Sequence, residues 1–168
     1  MSSGLSMRVL ALAAGLATAG SLTAVAVATP AVAAPRVVVT CGSLSAPAPN
    51  VHHQTKKAVL NGCTSPKATG GKGVIGVLNT APGTGFTATV TWNHTGTTNI
   101  SYSVMAAAPD EKETNGCPSH THEFNVSGSV TGGTGAAAKL IPNGSPVSAE
   151  ICVNSKGVTN EPGSKVKF

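Results

Sequence analysis

Between Phe86 and Val104 apolar and polar residues alternate one for one. Phe86, Ala88, Val90 and Trp92 are separated by Thr87, Thr89 and Thr91, and Ile100, Tyr102 and Val104 by Ser101 and Ser103. A period of two puts every second side chain on one face, so this stretch predicts two half-buried strands. Matching their apolar faces pairs Val90 with Ile100, Ala88 with Tyr102 and Phe86 with Val104. Asn93 then faces Thr97 across the loop His94-Thr95-Gly96. Glycine at the last loop position supplies the left-handed backbone that a three-residue hairpin wants.

The same reading extends along the chain. "PRVVVTC" is a β-branched run ending at Cys41, and "KKAVLNGC" and "KGVIGVL" are short apolar runs bounded by turn residues. In "EFNVSGSVTGG", Phe124, Val126 and Val130 alternate with Asn125, Ser127 and Ser129; in "PVSAEICVN", Val147, Ala149, Ile151 and Val153 alternate with polar residues. "SKVKF" reads as a closing edge strand, and "GAAAKLI" fits either a strand or one helical turn. The set predicts an all-β fold, an antiparallel β-sandwich of about seven short strands joined by Gly, Pro and Asn turns. Trp92 does not stand between paired cysteines as it does in immunoglobulin domains, and neither a long helical period nor an internal repeat is present. Residues 43–56 and 106–121 form the longest irregular stretches, the first expected to be extended and exposed.

The front of the chain changes the setting. Arg8 precedes a long run of Ala, Leu, Val and Gly, and Ala31 and Ala33 form an A-x-A pattern. This is the plan of a secretory signal peptide, residues 1–33, leaving one domain over 34–168. The run is about long enough to span a membrane, but its Ala, Gly and Thr content and its cleavage pattern favour removal. Cys41 follows Thr40, a poor context for lipidation. Losing Arg8 with the leader leaves ten cations against six anions, a formal charge of +4. The cations are scattered without interleaved aromatics, which argues against nucleic acid and allows weak attraction to anionic cell-wall polymer. The four cysteines, Cys41, Cys63, Cys117 and Cys152, read as two disulfides in an exported chain. Of three pairings, Cys41–Cys63 and Cys117–Cys152 close the shortest loops and fall in separate halves. Small side chains bury little area each, so such a core gains from cross-links.

Few residues offer chemistry. "GKGVIG" (residues 71–76) matches a dinucleotide loop only on paper, because strand rather than helix follows it. A nucleophile elbow is absent. Asp110, Glu111 and Glu113 share one segment instead of facing each other across a substrate, as glycosidase carboxylates do; with Lys112 they read as a solvated patch. "GCPSHTHEF" (residues 116–124) brings His120 and His122 near Cys117 and Glu123. A strand running back past Pro118 would set the two histidines about 7 Å apart at the core rim, His122 on the face of Phe124 and Glu123 on the other. Two ligands fall short of a tight zinc site. His52 and His53 are adjacent, so in an extended segment they point opposite ways.

The stretches "GCTSPKATGGKG", "GFTATVTWNHTGTTNISYSV" and "GSVTGGTG…SPVSAEICV", with the leader and paired cysteines, resemble small exported actinobacterial proteins without an assigned function. That resemblance covers most of the 34–168 domain and implies no catalytic residues. In size and cross-linking the chain is also similar to the secreted enediyne apoproteins and subtilisin inhibitors of actinobacteria, whose motifs it lacks. The expectation is a secreted protein, extracellular or wall-associated, without catalysis, cofactor or membrane contact after leader removal. It would bind an unknown protein or cell-wall polymer through Asn50, His52, His53, Asp110, Glu111 and Lys112. Inhibition of an extracellular protease or glycosidase is the alternative, and metal binding at His120 and His122 the third reading.

Overall fold

A computed structural model describes residues 39–65, 69–93, 95–107 and 116–168. The expected signal peptide, His94, Asp110, Glu111 and Lys112 therefore lie outside the described residues. Nine strands follow one another: β1 (Thr40–Pro47), β2 (Gln54–Cys63), β3 (Lys72–Asn79), β4 (Gly83–Trp92), β5 (Gly96–Ala106), β6 (His122–Thr134), β7 (Pro146–Asn154), β8 (Gly157–Asn160) and β9 (Val166–Lys167). One helix, α1 (Gly135–Leu140), stands between β6 and β7; the ambiguous "GAAAKLI" is thus helical. No helix among the described residues is long and apolar enough to cross a membrane.

From β1 to β8 the strands are antiparallel neighbours in chain order, and β1 pairs with both β2 and β8. The sheet therefore closes on itself as an eight-strand up-and-down barrel, which corrects the expected sandwich. The eighth stave is a broken one. β8 joins Val153 of β7 to Ala46 of β1 through Val158; after a detour over residues 161–165, β9 resumes the same line, Lys167 pairing with Ser148 and Thr40. "SKVKF" is accordingly half of the closing stave and not an edge. Alternation could not show this, because inward residues repeat every second position in barrel and sandwich alike.

The β4–β5 hairpin forms on the expected faces, but its register is two residues from the expected one. Phe86 pairs with Tyr102, Ala88 with Ile100, Val90 with Thr98 and Trp92 with Gly96. Gly96, at φ 119, is thus a paired strand residue opposite Trp92, not the last loop position. The cause is Thr98, a polar residue that points inward. It is fully buried, and Trp92 Nε1 donates to its Oγ1 at 2.7 Å. Matching apolar faces discounted an inward threonine whose hydroxyl has a partner.

Trp92 organises one end of the barrel. Its indole lies across Gly73, directly opposite on β3, where an added Cβ would stand 2.7 Å from the ring. Phe168 meets it edge-on at 5.3 Å between centroids, and α1 packs against β5 and β6 at the same end. Val39 and Phe168 exchange backbone hydrogen bonds of 3.0 and 2.9 Å. Between the ends, Leu44, Ile75, Ile100, Val126, Ile151 and Phe168 fill the lumen, leaving only ≈ 20 Å³ for the centre of a water-sized sphere. That is room for about one water, against an apolar lining that offers it no partners.

Cys41–Cys63 joins directly opposed residues of β1 and β2, and Cys117–Cys152 ties the segment before β6 to β7. Bridges with sequence separations of 22 and 35 residues are each worth about 3–4 kcal/mol in the chain-entropy picture. The expected loop 43–56 shrinks to residues 48–53, since β1 runs to Pro47 and β2 begins at Gln54.

Replacing Trp92→Phe removes the indole N–H from Thr98 and part of the filling over Gly73. It should cost about 2–3 kcal/mol in chemical unfolding. A loss below about 0.5 kcal/mol would mean that the buried Trp92–Thr98 bond does not set the hairpin register.

Candidate functional site

The up-and-down order sorts the connections. Those of β2–β3, β4–β5 and β6–β7 lie at the Trp92 end, and those of β1–β2, β3–β4, β5–β6 and β7–β8 at the other. Asn50, His52 and His53, together with the segment around Cys117, are therefore carried at one end of the barrel, away from the plug of Trp92 and Phe168.

The β1–β2 connection is a built turn. Asn50 Oδ1 accepts from the backbone N–H of His52 (2.9 Å) and of Gln54 (3.0 Å). The Asn50 N–H reaches the Gln54 carbonyl (2.9 Å), and the His53 N–H reaches the Asn50 carbonyl (2.9 Å). An asparagine carboxamide that mimics backbone in this way is a recurrent turn device. His53 takes a left-handed backbone, φ 56, and its carbonyl accepts from both the N–H and the hydroxyl of Thr80, at 2.8 and 2.9 Å. The turn is thus locked to the neighbouring β3–β4 connection. At its apex Val51 is 89 % exposed, and His52 and His53 are exposed beside it. The sequence expectation of an open, extended loop missed this, although Asn50 was its visible signal.

The second segment is anchored differently. Cys152 points outward from β7 yet is 2 % exposed, because Cys117 is bonded over it. Residues 116–121 with Glu123 line a cleft of ≈ 380 Å³ beside the bridge. Pro118 starts a turn whose carbonyl accepts from the Thr121 N–H (3.2 Å) and hydroxyl, and His120 sits in it at φ 65. β6 begins only at His122. The strand that would have aligned His120 with His122 does not form, since proline has no N–H for the ladder and the turn takes its place. His120 lines the cleft; His122, exposed at the rim, lies against Phe124 with ring centroids 6.4 Å apart. Among the described residues no group of three or more His, Cys, Asp or Glu side chains could hold a metal.

Two features had no local signal in the sequence. Glu123, Glu150 and Glu161, from β6, β7 and the detour in the last stave, come together on the outer wall. There the Glu161 N–H donates to the Glu150 carbonyl at 2.8 Å. Burial raises the pKa of Glu161, and the charges of Glu123 and Glu150 and a hydrogen bond to the Glu150 carboxyl raise it further. The other feature is Tyr102, which reaches from β5 to the backbone of Asn79. It accepts from the N–H at 2.7 Å and donates to the carbonyl at 3.4 Å. Burial holds this phenol protonated by raising its pKa, against the smaller opposing effect of the Asn79 hydrogen bond.

Asn50→Ala removes two acceptor bonds from the turn and should cost about 1–2 kcal/mol in thermal or urea unfolding; an unchanged midpoint would mean that the turn holds itself. For Glu161 the folded pKa lies above the unfolded one, so the folded state binds the extra proton. The full penalty from its charge is present above the raised pKa and vanishes below the unfolded value. Stability should therefore fall as pH rises through that window, and Glu161→Gln should flatten the dependence. A urea midpoint that instead climbs with pH there, and does so equally in the Gln variant, would contradict the assignment. No known family model matches the chain, and neither a curated protein nor a solved structure is similar to it.

Proposed function

We propose that the protein is a secreted, non-catalytic binding module whose contact surface is the end of the barrel that carries Val51, His52 and His53, with residues 116–121 beside it. The observation that carries this is the turn at Asn50: four hydrogen bonds and a clamp to Thr80 hold an exposed apolar side chain at the tip of a rigid element. A residue held in its bound geometry loses little freedom on association. Exposed aliphatic groups on such a turn suit a partner protein with a small apolar recess, and the histidines add a polar rim. The filled lumen directs recognition to the outside. Export accords with the paired cysteines and the leader-like first 33 residues.

Inhibition of an extracellular hydrolase is the second reading, because the same rigid turn could block an active-site entrance. It is the weaker of the two: a tight turn, unlike an extended loop, does not imitate a protease substrate.

The test is capture of an extracellular or wall-bound partner from the producing organism by the immobilised protein, with Val51→Asp as the comparison. Val51 is exposed, so the variant should keep its melting temperature while retention of the partner drops by about tenfold or more. Equal capture by both proteins, or no retained partner, would remove the loop-end reading. Assays against secreted proteases and glycosidases with the same pair of proteins decide the inhibitor reading.

A further inference from the structure

The β3–β4 ladder in the barrel wall is short. β3 and β4 are joined by three rungs only: Gly73 with Trp92, Val74 with Thr91 and Ile75 with Val90. The same register would next set Gly76 against Thr89, but among the described residues no pairing joins them, and β3 then changes face, with Gly76 and Val77 exposed and Leu78 buried. Beyond Ile75 the ladder ends, while β3 stays paired with β2 through Asn79 and β4 with β5 through Gly83. Further along, the phenol of Tyr102 takes the place of a strand at Asn79.

The direction of the unpaired groups follows from the ladder. The Asn93 N–H donates to the Lys72 carbonyl at 3.3 Å, so residues of that parity turn their backbone groups into the β3–β4 seam. In an antiparallel ladder this repeats at every second residue. Thr91 meets Val74; Thr89 and Thr87, next in line, are exposed and present N–H and C=O to an open edge. Natural sheets cover or blunt such edges, because they template another strand. Here the inward side of the seam is apolar, with Phe86 and Ala88 half-buried against the core, and on its outer side Val77 is 44 % exposed.

Charge selects the occupant. Lys56 and Lys57 stand on β2, one strand away from the seam; Lys56 pairs with the exposed Val77 of β3, and both lysines are exposed. From Val39 to Ala107 the sequence contains no aspartate or glutamate, so this side of the wall carries cations alone. A second copy of the chain would bring like charges together. We propose that the β3–β4 seam is a strand-addition site for a short extended segment of a partner protein, with apolar side chains alternating with acidic ones. Its backbone pairs with the rim of β4 at Thr87 and Thr89, its apolar side chains turn inward onto Phe86 and Ala88, and its carboxylates face Lys56 and Lys57. Backbone pairing supplies affinity in such a site, and the alternate side chains supply specificity. This inference stands apart from the loop-end reading, since the two surfaces share no residue.

The probe is a labelled peptide of about seven residues, capped at both ends and alternating Val and Glu. It is compared with a Val/Lys peptide and with a Val/Glu peptide N-methylated along one edge, by fluorescence anisotropy at low salt. The Val/Glu peptide should bind at least about tenfold more tightly than the Val/Lys peptide. N-methylation should abolish binding, and the Thr87 and Thr89 amides should gain protection from hydrogen exchange in the complex. Lys56→Glu with Lys57→Glu, both on the surface, should reverse the preference between the peptides. Equal binding of the two peptides, unchanged exchange at Thr87 and Thr89, no binding at about 1 mM peptide, or dimerisation through this seam would each overturn the proposal.

Discussion

Everything in this structure depends on one closure. β1 is the first stave and β7 the seventh, and they are held together only through the short strands β8 and β9, which share a single position in the wall. That position contributes Val158, Val166 and Phe168 to the interior, all buried. Without it the sheet would have two long free edges and a lumen open along its length. With it, a chain poor in large side chains encloses a core in which the few aromatics do disproportionate filling. The position also tolerates a break. Residues 161–165 step out of line, and Asn160 ties the detour down by donating to the carbonyls of Glu161 and Ser164, at 3.3 and 2.9 Å.

A closed and filled barrel leaves function to its outer surface and its ends, and the two ends differ in kind. One is plugged by Trp92, Phe168 and α1 and is apolar by construction. The other carries connections fixed by hydrogen bonds and a covalent cross-link: the Asn50 carboxamide, the Thr80 clamp and the Cys117–Cys152 bridge. Rigidity at that end owes little to the core. Substitutions at Val51 or His52 are therefore separable from folding, whereas substitutions at Trp92 or Thr98 are not.

Strands, turns and cross-linking were legible in the sequence because each leaves a local signature. Phe86 to Trp92 and Ile100 to Val104 alternate plainly, and an even cysteine count behind a leader-like N-terminus points to bridges. Closure was not legible, since it resides in which strands meet, and Val158 or Val166 would face inward in a sandwich too. Face matching misses the hairpin register by two because Thr98 reads as polar, while its bond to Trp92 Nε1 makes it an interior residue. The site was legible in part. The sequence marks Asn50, His52 and His53 as a loop, but the hydrogen-bonded geometry around Asn50 depends on backbone groups that the pattern does not show. The pairing of His120 with His122 required a strand that Pro118 prevents. The convergence of Glu123, Glu150 and Glu161, and the seam beside Thr87 and Thr89, had no trace in the pattern. The first depends on contacts between distant strands, the second on a contact that is missing.

The backbone bonds between Val39 and Phe168 carry a geometric consequence. The first and last described residues lie side by side at the plugged pole. A surface, bead or carrier joined at Phe168 would hold the molecule like a lamp on its stem, with the Val51 turn at the far pole. A short turn-forming linker running from Phe168 back to Val39 would make the barrel a continuous ring, which could be reopened at another connection.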